Sequence, residues 1–442
     1  MASVNIAQTK ICIFAVFIAA SLPALGMTAQ ADEAVIEKLF MNTQFADAIN
    51  ACRKALKEHP QDRLRFLNKI AEMEIASPRG TDGLIAAREA AKLAPKNAQV
   101  IATCSILEFL ASYVVKAQQM AQEAIALDDK NGRAHAALAL SGLRDESIPM
   151  AAELAKAIKL APKDATVLTV AGIIHLRKLE YDQAEASYSL MVKNFPNTAL
   201  PYYLRGFFRR EVFNNPGAIK DFNEVIKHYP GDSHVITSRA KLNKKTGHFK
   251  EAIEDFNRLE KLSGGKITSY GRRAECYEAL NQYEPAIKDY KKALDQAGVM
   301  KPGYKEKFAT SLGSTRRSAW TQMMDPKDAA LLSSTKATWL KLIILEEKHG
   351  DYDDAIKQLN QFTTAFPGDL NSIHVRHTLF KKMGRWNEAL GDINLLISKN
   401  PNVSDYYVSR ADIYKHLNKP DRVAEDLKRV HNLETTGTVT GD

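Results

Sequence analysis

Between Leu204 and Pro230 the apolar positions fall three and four residues apart in two short blocks, which predicts two amphipathic helices. A run of turn-forming residues, Asn214-Asn215-Pro216-Gly217, separates the blocks and predicts the turn between the helices. Pro230 ends the second block, because proline fixes φ, lacks an N–H and disfavours helix in the residue before it. The stretch therefore predicts a helix–turn–helix unit that ends at a proline.

The same unit recurs along most of the chain. Neighbouring terminators of the second helix are mostly 33 to 35 residues apart, at Pro60, Pro95, Asp129, Pro162, Pro196, Pro230, Gly264, Gly298, Pro367 and Pro401. The second helix repeats an alanine, at Ala48, Ala117, Ala184, Ala218, Ala252, Ala286, Ala355 and Ala389. The first helix has its own small residue, at Gly172, Gly206, Ala240, Ala274 and Ala411. Small residues at fixed positions predict that the two helices of each unit approach closely.

With these positions the chain resembles the tetratricopeptide repeat family over nearly its whole length. The resemblance implies an all-α, right-handed superhelical solenoid of about twelve helix-turn-helix repeats, one of them degenerate. It also implies a concave groove, lined by the first helices, in which the family often holds an extended peptide or a helix. The expected organisation is a signal peptide at 1–31, looser repeats at 32–164, regular repeats at 165–300, a degenerate repeat or insertion at 301–335, further repeats at 336–435 and a tail at 436–442.

An Arg in the first helix is followed 16 residues later by an Asp in the second helix of five units. The pairs are Arg205/Asp221, Arg239/Asp255, Arg273/Asp289, Arg376/Asp392 and Arg410/Asp426. Because a site for one ligand would not be copied into every unit, we interpret them as ion pairs that orient the two helices of a repeat.

The N-terminus has the form of a secretory signal peptide. Lys10 precedes an apolar run at 11–20, and Ala29-Gln30-Ala31 provides a cleavage site before Asp32. The run is short for a membrane span, so a retained N-terminal anchor is the less favoured alternative. We therefore expect an exported protein, periplasmic or secreted. Cys52, Cys104 and Cys276 lie far apart among apolar neighbours, which predicts buried thiols in place of disulfides or a zinc site.

No pattern in the sequence indicates catalysis. Nucleophile-elbow, Walker-type and H-E-x-x-H motifs are absent, and we expect neither an enzyme nor a cofactor. His374 and His377 are three residues apart on one predicted helix, but no Cys or carboxylate accompanies them, so no metal site is predicted. The net charge of +9 is spread over the chain, which does not favour nucleic-acid binding.

The predicted function is that of a scaffold or adaptor that binds a protein or peptide, with a structural spacer or self-assembling envelope element as the alternative. Aromatic side chains beside Arg and Lys suit a partner with apolar and acidic side chains. The register places these residues in the groove: Tyr203, Phe207, Arg210, His234, Thr237, Lys241, Lys244, Arg272, Glu275, His374, Thr378 and Lys381. A secondary patch of Arg316, Arg317 and Trp320 is a partner contact, a hinge or the core of a drifted repeat.

Overall fold

The computed structural model describes residues 29–77, 82–265, 269–297, 326–366 and 368–436, which form 22 α-helices and no strand. The helices are α1 (Ala29–Met41), α2 (Phe45–Glu58), α3 (Arg63–Ala76), α4 (Asp82–Leu93), α5 (Ala98–Leu110), α6 (Val114–Leu127), α7 (Gly132–Ser141), α8 (Met150–Leu160), α9 (Ala165–Arg177), α10 (Tyr181–Asn194), α11 (Ala199–Glu211), α12 (Asn215–His228), α13 (Ser233–Lys245), α14 (Phe249–Leu262), α15 (Tyr270–Ala279), α16 (Tyr283–Gln296), α17 (Pro326–His349), α18 (Tyr352–Ala365), α19 (Leu370–Lys382), α20 (Trp386–Lys399), α21 (Ser404–His416) and α22 (Pro420–Thr436). Odd-numbered and even-numbered helices alternate as the first and second helices of eleven hairpins. This confirms an all-α solenoid of helical hairpins.

The residues after each terminator start the next hairpin. Asn97 and Asn131 each cap a first helix by accepting a hydrogen bond from the backbone N–H three residues on. Asp164 caps α9 in the same way and accepts from two backbone N–H groups. Each cap satisfies donors at the helix start that have no partner within the helix. A helix-stopping Pro or Asp followed two residues later by Asn or Asp therefore encodes the junction between hairpins.

The turn inside the sixth hairpin lies earlier than the sequence predicted. In the sixth hairpin α11 ends at Glu211, and Asn215-Pro216-Gly217 already forms the first turn of α12, capped by Asn214. The prediction that residues 214–217 form the turn was therefore wrong. The turn is made by Phe213, whose φ is +61°. Its counterparts in other hairpins also have positive φ, at Thr43, Ser112, Leu179, Gly247, Asn281, Gly350, Gly384 and Asn418.

The recurring Arg of the first helix joins two hairpins as well as two helices. Arg273 donates two hydrogen bonds to the Asp289 carboxylate in its own hairpin, at 2.6 and 2.8 Å. The same guanidinium donates to Asn257 of the preceding hairpin, at 2.6 Å. Equivalent Arg–Asp pairs form at Arg205/Asp221, Arg376/Asp392 and Arg410/Asp426. The predicted pairs of these four hairpins are confirmed. Arg376 and Arg410 also donate to an Asn of the preceding hairpin, and Arg205 donates to the Ser189 hydroxyl, so each Arg joins successive hairpins.

The chain divides into two compact units, Met1–Leu242 and Asn243–Asp442. In the N-terminal unit the first hairpin returns to the sixth. The Phe45 and Tyr203 rings meet edge-on with centroids 5.5 Å apart, and Thr43 Oγ1 donates to Asp232 Oδ2 at 3.2 Å. In the same unit, Arg133 is buried and contacts Glu72 at 2.5 Å and Asp164 at 2.7 Å. These contacts fill part of the surface that first helices face in this unit.

In the C-terminal unit the stack continues directly from α16 to α17. Tyr290 and Leu294 of α16 share a core cluster with Trp339 and Leu342 of α17. The predicted degenerate repeat at 301–335 lies mostly outside the described residues, as does the predicted signal peptide at 1–31. None of the helices that the structure describes is long and apolar enough to cross a membrane.

The three cysteines of the described chain are buried free thiols, as predicted. Burial raises the pKa of Cys52 to about 12 and the pKa values of Cys104 and Cys276 to about 11. Because the thiolate is the reactive form, these cysteines act as small apolar core residues.

Glu346 is a buried carboxyl at the contact between α16 and α17, and its charge affects the stability of the protein. Its side chain is fully buried, and its carboxylate contacts Lys291 of α16 at 2.9 Å. Burial raises the pKa of Glu346, and Lys291 only partly opposes this effect. A carboxyl whose pKa is higher in the folded state contributes stability at low pH that is lost as the pH rises through that value.

We therefore expect Glu346→Gln to be as stable as the parent near pH 4 and more stable than the parent at pH 7. The measurement is the difference in free energy of unfolding between the two proteins from urea titrations at both pH values. A Gln variant that is less stable at pH 7 would show that the charged carboxylate is a net stabilising partner of Lys291.

Candidate functional site

The predicted groove residues fall into separate sets in the two units. In the N-terminal unit, Tyr203, Phe207 and His234 line one cavity of about 330 Å³. The Phe207 ring stacks on the His234 ring at 4.8 Å, with an angle of 17° between their planes. Tyr203 is only 5% exposed, because Phe45 covers it. Three residues that the repeat register placed in the groove therefore line one cavity. One of them, Tyr203, also forms the contact between the first and sixth hairpins.

Three other predicted residues of this unit lie on the same helices, α11 and α13, but do not line the cavity. The Arg210 guanidinium stands over the Phe207 ring at 4.7 Å and contacts Glu211 at 2.6 Å. The Thr237 hydroxyl donates to the backbone carbonyl of Ser233 at 2.6 Å, so it is used within its own helix. Lys241 is exposed.

In the C-terminal unit, Lys244, Arg272 and Glu275 line a second cavity of about 370 Å³. Three first helices, α13, α15 and α17, contribute to its walls. Ser269, Ser334, Thr335 and Thr338 add hydroxyl groups, and Tyr290 and Leu294 add apolar surface. Arg272 is exposed at the rim. The structure thus gathers three predicted residues around one opening with mixed polar and apolar walls.

The charge of this cavity is net positive. The Glu275 carboxylate accepts hydrogen bonds from the ammonium groups of both Lys244 and Lys341. Burial acts to raise the pKa of Glu275, but the two ammoniums outweigh it and hold the pKa below its usual range. One carboxylate is therefore shared by two lysines, and Arg272 adds a third cation. Such an arrangement attracts an acidic group.

Sequence analysis missed Lys341, which completes this cluster. A step of one 34-residue repeat back from Arg376 reaches Leu342, and Lys341 stands one residue before it. Lys341 therefore has the same place in its repeat as Arg272, which stands one residue before Arg273, and this register would have singled it out as a cation on a first helix.

The last predicted set, His374, Thr378 and Lys381, lies on α19. His374 is exposed, the Thr378 hydroxyl donates to the His374 carbonyl at 3.0 Å, and Lys381 contacts Asp412 at 2.8 Å. Arg316, Arg317 and Trp320 of the secondary patch lie outside the described residues.

Two groups of residues bear on metal binding. Both ring nitrogens of His377 are in hydrogen-bond contact, Nδ1 with the Ala389 carbonyl at 3.0 Å and Nε2 with the Ser409 hydroxyl at 2.8 Å. Burial lowers the pKa of His377, so this imidazole is a neutral structural group. Asp32, Glu58 and His59 each place one ligand atom within 4.8 Å of the others, and Asp32 contacts His59 at 3.0 Å.

Comparison with known families identifies the repeat. Residues 267–298 match the family model described as Tetratricopeptide repeat. These residues include α15 and α16, and the other described hairpins repeat the same two-helix unit. Residues 267–298 therefore form a tetratricopeptide repeat. Proteins of this family are generally non-enzymatic scaffolds for protein–protein interaction.

Several solved structures resemble this chain at low sequence identity. A tetratricopeptide repeat protein from Parabacteroides merdae is 20% identical, with 60% of this chain and 91% of that chain covered and a TM-score of 0.32. PilF of Pseudomonas aeruginosa is 16% identical, with coverages of 48% and 91% and a TM-score of 0.34. The Naa15/Naa10 complex bound to HypK-THB is 15% identical, with coverages of 84% and 64% and a TM-score of 0.33, so this chain spans under two thirds of that chain. No curated protein sequence matches the chain.

Proposed function

We propose that this protein is a non-enzymatic scaffold that works outside the cytoplasm and holds a protein or peptide partner against the first helices of its C-terminal unit. The observation that carries the proposal is the cavity of about 370 Å³ between α13, α15 and α17. Three of its lining residues, Lys244, Arg272 and Glu275, were expected in a binding groove from the repeat register alone.

The lining indicates the chemistry of the partner. Lys244 and Lys341 share the Glu275 carboxylate, so a further carboxylate can approach without displacing a complete ion pair. The Thr338 hydroxyl donates to the Ser334 carbonyl at 2.9 Å, and its oxygen can still accept a hydrogen bond from a peptide N–H, as the polar groups of binding pockets commonly do. The expected ligand is therefore an acidic segment with neighbouring apolar side chains.

Export is part of the proposal and is supported by the sequence. Lys10, the apolar run at 11–20 and the Ala29-Gln30-Ala31 motif have the order of a signal peptide. Cleavage after Ala31 would leave Asp32 as the first residue. Mass spectrometry of the protein from its native host tests this, because a mature chain starting at Asp32 supports export and a retained residue 1 contradicts cleavage.

The binding test compares two triple variants of the mature chain, Asp32 to Asp442, in affinity capture from the native compartment. The cavity variant carries Lys244→Ala, Arg272→Ala and Lys341→Ala. The matched control carries Lys250→Ala, Lys288→Ala and Lys357→Ala, which removes three exposed lysines from second helices of the same unit. We expect a partner that the parent and the control retain and that the cavity variant loses, with helical circular dichroism unchanged in all three.

A partner retained by the cavity variant would place the binding site elsewhere on the chain. Failure of the parent to retain any protein partner would contradict the scaffold function. Tyr203 is unsuitable for this test, because it is buried against Phe45 and its replacement would disturb the N-terminal unit.

A further inference from the structure

The four most exposed large apolar side chains of the described chain lie either in a hairpin turn or in the first turn of a second helix. Phe213 is 76% exposed, Val115 70%, Leu179 69% and Ile85 60%. Leu179 and Phe213 form the turns inside the fifth and sixth hairpins, and Val115 and Ile85 lie in the first turn of a second helix. All four belong to the N-terminal unit. The turns inside its hairpins therefore present apolar side chains to solvent.

The backbone at two of these turns favours a different residue. Leu179 and Phe213 both have a φ of +61°. Equivalent turns of the C-terminal unit use Gly350, Gly384 and Asn418, which adopt positive φ more readily. Bulky apolar residues thus occupy strained positions, and their side chains gain little burial in return. Because positive φ recurs at nine hairpin turns, what sets Leu179 and Phe213 apart is a bulky, exposed apolar side chain in that conformation.

A groove with apolar and polar walls lies at the turn of the third hairpin. Phe109, Leu110, Val114, Leu143 and Ile173 line a cavity of about 660 Å³, which runs along the ends of α5, α7 and α9. Ser112, the turn residue of the third hairpin, also lines it. The groove is large enough for several side chains of a bound segment.

Two arginines at this groove carry charge that the chain does not neutralise. Arg144 and Arg177 line the groove and are exposed, and among the residues that the structure describes neither is in ion-pair contact with a carboxylate. Nearby carboxylates have other partners: Asp145 accepts from Gln118 at 2.8 Å and Glu180 contacts His175 at 2.8 Å. The guanidiniums are therefore available to carboxylates of another molecule.

We infer that this surface, the turn edge formed by Val115, Leu179, Phe213, Arg144 and Arg177, is a docking site for a segment of a partner protein that carries apolar side chains and carboxylates. Apolar anchors would enter the groove and contact Leu179, and carboxylates would pair with the two guanidiniums. The inference rests on the proposed scaffold function, but it assigns binding to a surface separate from the C-terminal cavity.

The test starts from a random peptide library displayed on phage and selected on the mature chain. Selected peptides are expected to be rich in Leu, Ile, Phe, Asp and Glu. Their affinity is then measured by fluorescence anisotropy on the parent, on Leu179→Gly/Phe213→Gly and on Arg144→Glu/Arg177→Glu. We expect each double variant to weaken binding by about tenfold or more, as loss of interface anchors does.

The glycine variant separates binding from folding. Glycine accepts positive φ without strain, so the thermal midpoint of Leu179→Gly/Phe213→Gly should equal or exceed that of the parent. Lys156→Glu/Lys159→Glu is the charge control, because it makes the same charge change on exposed residues of α8. This control should bind the peptides as the parent does.

The outcomes distinguish the two proposals. The selected peptides could fail to bind the Lys244/Arg272/Lys341 cavity variant and still bind both turn-edge variants. This result would overturn the turn-edge site and support the scaffold function. Absence of any enriched peptide would overturn the turn edge as a site for a linear segment. Two further results would also overturn it. If the parent binds phosphatidylglycerol vesicles and Leu179→Gly/Phe213→Gly does not, the occupant is a membrane. If the parent self-associates in sedimentation velocity and the variant does not, the occupant is a second copy of the chain.

Discussion

Replacing Arg273 with Met is expected to lower the free energy of unfolding of the C-terminal unit by about 3–5 kcal/mol, the usual cost of removing one partner from a buried ion pair. The Asp289 carboxylate is only 5% exposed and receives both of its hydrogen bonds from Arg273. Met fills most of the volume of the Arg side chain, so the loss comes from the unpaired Asp289 charge and the lost contacts with Asn257 and Glu260, and not from an empty cavity. Urea unfolding followed by circular dichroism gives the free energy, and hydrogen exchange locates the loss in α15 and α16.

The matched control is Arg205→Met, the same position in the sixth hairpin. Asp221 is also buried, but Arg209 contacts it at 2.9 Å in addition to Arg205. Because Asp221 keeps Arg209 as a partner, Arg205→Met should lower the free energy of unfolding by about 1.5–3 kcal/mol, the range for a single hydrogen bond to a charged group. Adding Asp289→Leu to Arg273→Met should recover most of the lost stability, because no buried charge is then unpaired. Equal losses in the two single variants would show that Arg209 does not compensate.

These pairs show what a repeated spacing can predict. The interval of 16 residues from Arg to Asp correctly indicated a contact inside the hairpin, because both residues recur in the same unit. The amide contact of Arg273 with Asn257 was missed, since that partner belongs to the preceding hairpin. Arg209 was missed because it supplements one pair only and has no counterpart in the recurring pattern. A recurring pattern thus predicts what repeats share and not what one repeat adds.

The turn inside the hairpin shows a second limit. Gly217 and Pro216 suggested a turn by composition, yet they lie in the first turn of α12. Phe213 makes the turn although a bulky residue is unfavourable at positive φ, so no residue preference could have placed it there. Asn214 caps α12 and Pro216 suits its first turn, so the local sequence marks the start of this helix, and the turn lies just before it. This mismatch between residue and backbone is the observation that drew attention to the turn edge.

The groove residues show a third limit. Repeat register correctly put Lys244, Arg272 and Glu275 on neighbouring surfaces, because their first helices are successive elements of the stack. The same register treated Tyr203 as an open groove residue. Phe45 covers Tyr203 because the first hairpin of the N-terminal unit returns to the sixth. Closure between distant repeats depends on how small rotations between hairpins add up, which a single period does not reveal.

Replacing Trp339 with Ala is expected to cost about 3–5 kcal/mol, since it removes the largest fully buried side chain of the described residues. Trp339 is 1% exposed, its ring meets Phe362 edge-on with centroids 5.4 Å apart, and its Nε1–H donates to Gln358 Oε1 at 3.0 Å. Trp339 therefore fixes α17 against α18. Urea unfolding of the variant, followed by circular dichroism, measures the loss.

Trp386→Ala provides the matched control, because Trp386 is only half-buried and stacks on the exposed ring of His416 at 3.8 Å. Its loss should be well below that of Trp339→Ala. Trp339→Phe should cost about 1–3 kcal/mol, because the aromatic packing is largely kept and the buried Gln358 loses its donor. If Trp339→Ala cost no more than Trp386→Ala, α17 would not be packed as the structure has it. Lys341 and Thr338 lie on that helix, so the cavity proposed to bind the partner would lose one of its three walls.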